Sequence, residues 1–506
     1  DCLDRKTLKN TTIFTEMEKQ SQKEWFGFTR SKFIYSIDTL YLVLFPSVQW
    51  PESEQATSFL KYLEEKRKEM EDTLENVTLS DTDLTMKFGF SFGFYTYHVC
   101  LEDSWDLFIC KKKPNADTPA MFLQLRSQYL WTTGTHKAVS EAVDRIKAFL
   151  VPWNIDIKDC QENRIDYAFH TNYIQDPVNF FPLKHLKSMQ ISKFSRWHVE
   201  GHFYDETSKQ DYMTLGRRKS NNIFIRCYDK TKEVVEMNYK QFFIWIWRLN
   251  GLISRFDAYV LEHAFKKKRW HAKEEGRLLF YLEYGQNELI KTEIQKLLQE
   301  DASYQRLKHV ADQLLPDVTI ITNFEFQTKR KFYANLKLPC LSTRTDHMKR
   351  IDNLLLLQPE IKNLLTTDVI RFICWKGKYK EIERKNRPTA DWWKRLAASP
   401  VVDLVRESEY VIVRQYQRNL DLERQKKLTM NKLAVTSLYL YGNDFGSVEK
   451  NMIDFLSSMN DNDLHEYDGY KKKKSRELKK RLQGLSSQTT VSKYALIDKE
   501  NGETYD

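Results

Sequence analysis

Residues Thr214–Glu233, TLGRRKSNNIFIRCYDKTKE, constrain this chain more than any other stretch, because a basic, polar turn runs there straight into a short apolar and aromatic segment. Asn221 and Asn222 are turn residues, and Ile223–Tyr228 has the β-branched and aromatic content of a strand. Side chains alternate along a strand, so Ile223, Ile225 and Cys227 are expected on one face and Phe224, Arg226 and Tyr228 on the other. A cation and a phenol then share a face. Arg217, Arg218 and Lys219 precede the strand, and Lys230 and Lys232 follow it, a frame of positive charge suited to a phosphate. A phenol is a poor nucleophile at its usual pKa of about 10. Neighbouring cations favour the phenolate, and a phosphoryl oxygen bound to a metal becomes electrophilic.

A second strand candidate is Arg164-Ile165-Asp166-Tyr167-Ala168-Phe169, in which Arg164, Asp166 and His170 fall on one face and Ile165, Tyr167 and Phe169 on the other. A carboxylate on a sheet face near a phosphate needs a compensating cation. One source of that cation is Arg164, paired with Asp166; the other is a hard divalent ion, Mg²⁺ or Mn²⁺, on oxygen ligands.

These two segments, in this order, resemble the Asp strand and the active-tyrosine strand of the plasmid rolling-circle replication initiators of Gram-positive bacteria and the related MOBT relaxases of conjugative elements. The resemblance covers roughly residues 31–330. It implies an α+β fold with an antiparallel-sheet nicking domain of the HUH-like initiator/relaxase type, followed by a mainly helical C-terminal region. It also implies an activity: Tyr228 attacks a phosphodiester of origin DNA at a hairpin or single-stranded nick site and leaves a covalent phosphotyrosine. Arg226 would stabilise the phosphate, Lys230 would contact a flanking one, and Arg164, Arg217, Arg218 and Lys219 would bind DNA. Asp166 would hold Mg²⁺ or Mn²⁺. No two of the 11 His stand one residue apart, as the two-histidine nickases require, so carboxylates must do that work. The family's later Arg-x-Glu-x-Glu strand has no close copy; Arg255-Phe256-Asp257 and the Arg277–Glu283 segment offer Asp257 and Glu283 as further metal ligands. The implied partners are a Rep/UvrD-like helicase and a second copy in a homodimer. The alternative from another class is a catalytically silent protein that only recognises origin DNA.

Composition agrees with a polyanion-binding protein. Lys+Arg 80 against Asp+Glu 70 give +10 in 506 residues. With 15 Gly there is no P-loop and no dinucleotide fingerprint. The seven Cys are scattered, odd in number and without a CxxC pair, which points to reduced thiols in a cytoplasmic protein and against a disulfide scaffold or a zinc site; the resemblance implies that the cytoplasm is bacterial. No apolar run approaches the roughly 18 residues of a membrane span. Gly89–Gly93 matches G-x-S-x-G, but FYTYHVC follows where a helix is required. His198 and His202 are four apart, with Gly201 weakening any helix between them.

Four regions are expected: a flexible arm over 1–30, the nicking domain over 31–330, a helical region over 331–484 and a disordered tail over 485–506. Strands are predicted at Phe33–Phe45, as a pair within Phe88–Cys110 broken at Glu102–Ser104, at Met121–Tyr129, at Gly276–Gly285 and at Val318–Arg330. Helices are predicted at Glu52–Leu74, Thr135–Phe149, Glu233–Asn250 and Glu288–Leu315, and in the C-terminal part at Asp352–Thr366, Thr367–Trp375 and Ser408–Lys426. Gly251–Phe265 reads equally as strand or helix. The run Lys471–Arg481 reads as a solvated basic arm with non-specific phosphate affinity.

Overall fold

The computed structural model describes residues 19–73, 75–79, 82–87, 94–115, 118–180, 197–200, 212–215, 222–300, 302–334, 362, 365, 366, 388–400, 402, 410–418 and 490–498. Eleven strands build one antiparallel sheet: β1 (Phe33–Pro46), β2 (Val77–Thr78), β3 (Thr85–Met86), β4 (Tyr97–Leu101), β5 (Trp105–Ile109), β6 (Met121–Leu125), β7 (Ile157–Thr171), β8 (Trp197–Glu200), β9 (Tyr212–Leu215), β10 (Ile223–Asp229) and β11 (Thr322–Lys329). They lie in the order β2-β3-β4-β5-β6-β1-β7-β11-β10-β9-β8. The β4–β5 hairpin turns at Asp103, whose φ of 63° is the left-handed conformation that a tight reversal needs.

Alternation separates two cores. On one face Tyr35, Ile37, Tyr167, Phe169, Ile225 and Phe326 pack beneath the helices Glu54–Thr73 and Thr135–Leu150. On the other, Ile34 and Ala168 meet Trp131 and a layer of helices: Phe242–Leu249, Arg255–Lys267, Ala272–Tyr284, Glu288–Gln299 and Tyr304–Leu314. The long central strands β1 and β7 stay paired over their length only by absorbing irregularities. At one of these, Ile37 pairs with Tyr167 and Thr39 with Asp166, so Asp38 is the extra residue of a bulge.

The expected strand at Gly276–Gly285 is a helix, Ala272–Tyr284. The segment GRLLFYLEYG lacks β-branched residues, and Glu274 and Glu275 in its first turn suit a helix N-terminus. Gly276 does not open a strand. It lets this helix approach Arg255–Lys267, since a Cβ there would lie 3.2 Å from His263 Cβ and 3.3 Å from Val260 Cγ1. The ambiguous Gly251–Phe265 resolves as helix for a local reason: Ser254 and Asp257 form a reciprocal capping box at its start.

Within the segment read as a flexible arm, Lys19–Phe26 is helical, with Trp25 against Phe280 and Phe26 against Phe256 at ring distances of 5.1 and 5.0 Å. In the C-terminal part, Tyr410–Arg418 is a strand and not part of a helix, and it pairs antiparallel with Thr490–Asp498, which lies inside the segment expected to be disordered. Backbone pairing with a distant partner overrides helical or disordered readings that rest on local charge. The short helix Asp391–Ala397 sets Trp392 and Trp393 against Phe324 and Phe326, on the back of β11, and the indole of Trp393 donates to the Thr366 carbonyl. These tryptophans are core. Pro400 and Val402 extend the sheet by bonding the backbone of Tyr35. No helix among the described residues is long and apolar enough to cross a membrane.

Because neighbours crowd Gly276 from a second helix, Gly276→Val should destabilise the fold by about 1–3 kcal/mol, read as a lower urea midpoint at unchanged slope. An unchanged midpoint would mean that the two helices do not meet there.

Candidate functional site

The alternation expected of β7 and β10 is observed: Ile223, Ile225 and Cys227 enter the first core, leaving Arg226 and Tyr228 on the opposite face with Arg164, Asp166 and His170. Between the two strands runs β11, with Glu325 opposite Arg226 and Ala168, Asn323 opposite Tyr228 and His170, and Gln327 opposite Asp166. This face is polar in the middle of the sheet.

Four ion pairs fill it: Arg164–Asp166, Arg226–Glu325, Lys230–Glu233 and Lys240–Asp38. In each, one member is buried and the other reaches the surface. Asp166, Glu325, Lys230 and Asp38 are the buried members; Arg164, Arg226, Glu233 and Lys240 are the outer ones. The Arg164 fork grips Asp166 through Nε at 2.8 Å and again through Nη2. Lys230 reaches Glu233 at 2.6 Å because Asp229 caps a helical turn, Lys230–Glu233, immediately after β10.

Tyr228 sits at the centre. Its hydroxyl donates to Glu325 Oε2 at 3.1 Å and accepts from Asn323 Nδ2 at 2.9 Å, with Lys230 Nζ 3.3 Å away. Sequence reasoning expected the flanking cations to favour the phenolate. The balance runs the other way: burial, and after it the Glu233 carboxylate, push the phenol well above its ordinary value, while Lys230 and Arg226 only partly oppose this. With 8% of its surface exposed, Tyr228 is a neutral phenol in this conformation.

The acids divide. Burial pushes Asp166 up to about 7 against the Arg164 hydrogen bond, with the nearby Glu325 adding to the rise. Burial also opposes ionisation of Glu325, yet Arg226 holds that carboxyl below its ordinary value. Asp38 is buried too, and Lys240, Lys230 and Arg226 bring it down to about 2. Burial alone would discharge Lys230, but Glu233 and Asp38 keep it well above its ordinary value. His170 is neutral: burial and then Lys230 depress it, and Trp247 donates to its Nδ1 at 3.0 Å.

Of the expected site residues, the fold gathers Tyr228, Arg226, Lys230, Asp166 and Arg164 on one face. Lys230 is buried against the phenol, however, and does not face outward toward a flanking phosphate. Asp257 and Glu283 do not belong to the site. Asp257 is the capping-box carboxylate and accepts from Ser254 N and Thr319 N, both at 2.8 Å; Glu283 is exposed on a helix and accepts from Tyr259 at 2.9 Å. The acid that sequence reasoning missed is Glu325. Its signal was present in a segment already expected to be a strand: Asn323-Phe324-Glu325-Phe326-Gln327 alternates polar and aromatic, and fits Arg-x-Glu-x-Glu at its middle position alone. Asp38 and Lys240 were missed as well, and nothing local marks either. Arg217, Arg218, Lys219, His202, Gly89–Gly93 and Lys471–Arg481 lie outside the described residues.

A hard divalent ion does not fit these acids as they stand. Both oxygens of Asp166 face Arg164, and those of Glu325 are taken by Arg226 and Tyr228. Among the described residues, the one group of three whose ligand atoms lie within 4.8 Å of one another is elsewhere, at His98, Cys100 and Asp106 on β4 and β5. There Asp106 receives Arg126 Nε and Nη2 at 2.7 and 2.6 Å and pairs with His98 Nε2 at 2.7 Å, so both of its oxygens are committed to an internal network.

No protein-family model and no curated protein matches the chain. A solved rolling-circle replication initiator from Geobacillus stearothermophilus aligns with 72% of this chain and 96% of its own, at 11% identity and a TM-score of 0.35. A superposition that loose identifies neither a shared fold nor a shared activity.

The raised Asp166 pKa has a stability consequence. Between its unfolded value of about 3.9 and its folded value of about 7, the native state binds the extra proton, so this group's contribution to stability falls as pH rises through that window. Asp166→Asn removes that fall. Relative to the parent, the variant should gain stability on going from about pH 5 to about pH 8 in urea denaturation; a pH-independent difference would show that Asp166 titrates normally.

Proposed function

We propose that the chain is a DNA strand transferase that uses Tyr228 as nucleophile, in replication initiation or conjugative transfer of a mobile element. The observation that carries the reading is the company of the phenol: a carboxylate accepts its proton, an amide and an ammonium lie beside its oxygen, and a guanidinium is one pair away. A nucleophile needs an acceptor and the developing phosphorane needs cations, and both are within hydrogen-bond reach of one another. In the reaction, the Tyr228 oxygen bonds to phosphorus as its proton passes to Glu325 Oε2. The P–O3′ bond breaks, and the departing 3′ oxygen takes up a proton from solvent. The product is a 5′-phosphotyrosine link and a free 3′-hydroxyl.

The outer members of the ion pairs give the entry its charge. Arg164, Arg226 and Lys240 reach the surface against the single outer carboxylate Glu233, so an approaching phosphodiester meets three cations and one anion. Tyr228 is 8% exposed, so DNA reaches its hydroxyl only when a neighbouring segment moves aside.

That burial favours a second reading, a silent protein that binds origin DNA with the same face and leaves Tyr228 as a structural phenol. One experiment separates the two. Tyr228→Phe removes an oxygen and almost no volume, so fold and DNA binding should persist. Incubated with supercoiled plasmid carrying the protein's own coding region and flanking DNA, the parent should yield nicked circles and a denaturant-stable adduct, and the variant neither. A parent that binds the plasmid but never forms the adduct decides for the silent reading.

A further inference from the structure

The resemblance to metal-dependent initiators asks Asp166 and a later pair of acids to hold Mg²⁺ or Mn²⁺. The geometry answers with different cations. We propose that the guanidinium groups of Arg164 and Arg226 serve as built-in cations where such an ion would bind, so that this face works without a divalent metal.

Three observations carry it. The two strand acids are closed: the Arg164 fork spans both oxygens of Asp166, and Glu325 gives one oxygen to Arg226 and the other to Tyr228, which leaves the lone Oδ1 of Asp38 as the carboxylate oxygen of the three without a hydrogen-bond partner among the described residues. Each acid already has a cation, since four cations meet four carboxyl groups in four pairs. A dication entering among Arg164, Arg226, Lys230 and Lys240 gains attraction from acids already neutralised and adds repulsion that scales with its double charge. The acid count is also short. The strand that should bring two glutamates brings Glu325 and the amide Gln327, whose Oε1 is buried opposite Asp166 without a hydrogen-bond partner among the described residues. One ionised acid and one amide make a poor site for an ion that selects for carboxylate oxygens.

The chemistry is consistent with this. What a metal would supply, charge at the phosphoryl oxygens, Arg226 supplies in a form that does not dissociate at any physiological pH.

Mn²⁺ titration followed by loss of the free-ion electron paramagnetic resonance signal tests the proposal without any DNA. All proteins carry Asp106→Asn, to silence the His98 group. In this background no stoichiometric ion should bind, and Asp166→Asn or Glu325→Gln should change nothing. Arg164→Gln with Arg226→Gln, its fold verified by circular dichroism, should gain a site at least roughly tenfold tighter than any in the background. A stoichiometric ion in the background protein that is lost in Asp166→Asn or Glu325→Gln overturns the proposal, and so does a folded double variant that gains nothing. If the double variant does not fold, the indifference of the background protein to Asp166→Asn decides alone. The second arm rests on the strand-transfer reading: adduct formation by the parent should persist in EDTA, and a loss restored by Mg²⁺ overturns the proposal. If no adduct forms with or without EDTA, strand transfer fails while the titration still decides the cation question.

Discussion

The architecture around Tyr228 depends on one constraint: five charged side chains of the sheet, Asp38, Arg164, Asp166, Arg226 and Glu325, meet three from the segment after β10, Lys230, Glu233 and Lys240, under a helical layer, and must neutralise one another. Removing a single partner from a buried pair leaves an uncompensated charge, which costs about 3–5 kcal/mol, whereas the intact pair offsets most of its own desolvation. The pairs therefore act as a unit. Pairing across strands locks the register, because a slip of one residue in β11 would carry Glu325 to the apolar face and leave Arg226 without an acceptor.

This arrangement explains why the site is quiet as folded. Paired charges cannot also stabilise a phenolate, so Tyr228 keeps its proton, and the same burial that strengthens its hydrogen bonds raises its pKa. On the proposed strand-transfer reading, activation has to come from displacement: a phosphate that draws Arg226 outward would free Glu325 to take the proton, and moving Glu233 away would remove a negative neighbour of the phenol. On that reading, substrate charge and nucleophile activation would be linked through the same ion pairs.

Support for the face comes from both sides of the sheet. The bulge in β1 delivers Asp38 to Lys240, and the tryptophan pair on Asp391–Ala397 backs β11 directly behind Glu325. Phe243, in the helix above, receives the ammonium groups of Lys230 and Lys240 on its ring, at 4.9 and 5.9 Å. The polar centre is thus enclosed by aromatic walls. That is why its pKa values are so widely spread, with Asp38 at about 2 and Asp166 at about 7.

Local alternation determined much of this from sequence alone. The period of two in Ile223–Tyr228 and Arg164–His170 dictated which side chains share a face, since strand geometry leaves no other choice. The same rule applied to Asn323–Gln327 would have found Glu325; a weak match to Arg-x-Glu-x-Glu drew attention to Asp257 and Glu283 instead. Other features had no local signature. Gly276 reads as a breaker until a second helix is seen to need its missing side chain, and Asp38 reads as an ordinary strand residue until a bulge turns it inward. Whether a cation activates a phenol or merely satisfies a carboxylate depends on distances between strands 60 to 160 residues apart and on how much water is excluded between them. Only tertiary structure decides that, because Coulomb energy and desolvation are set by separation in space and not by separation along the chain.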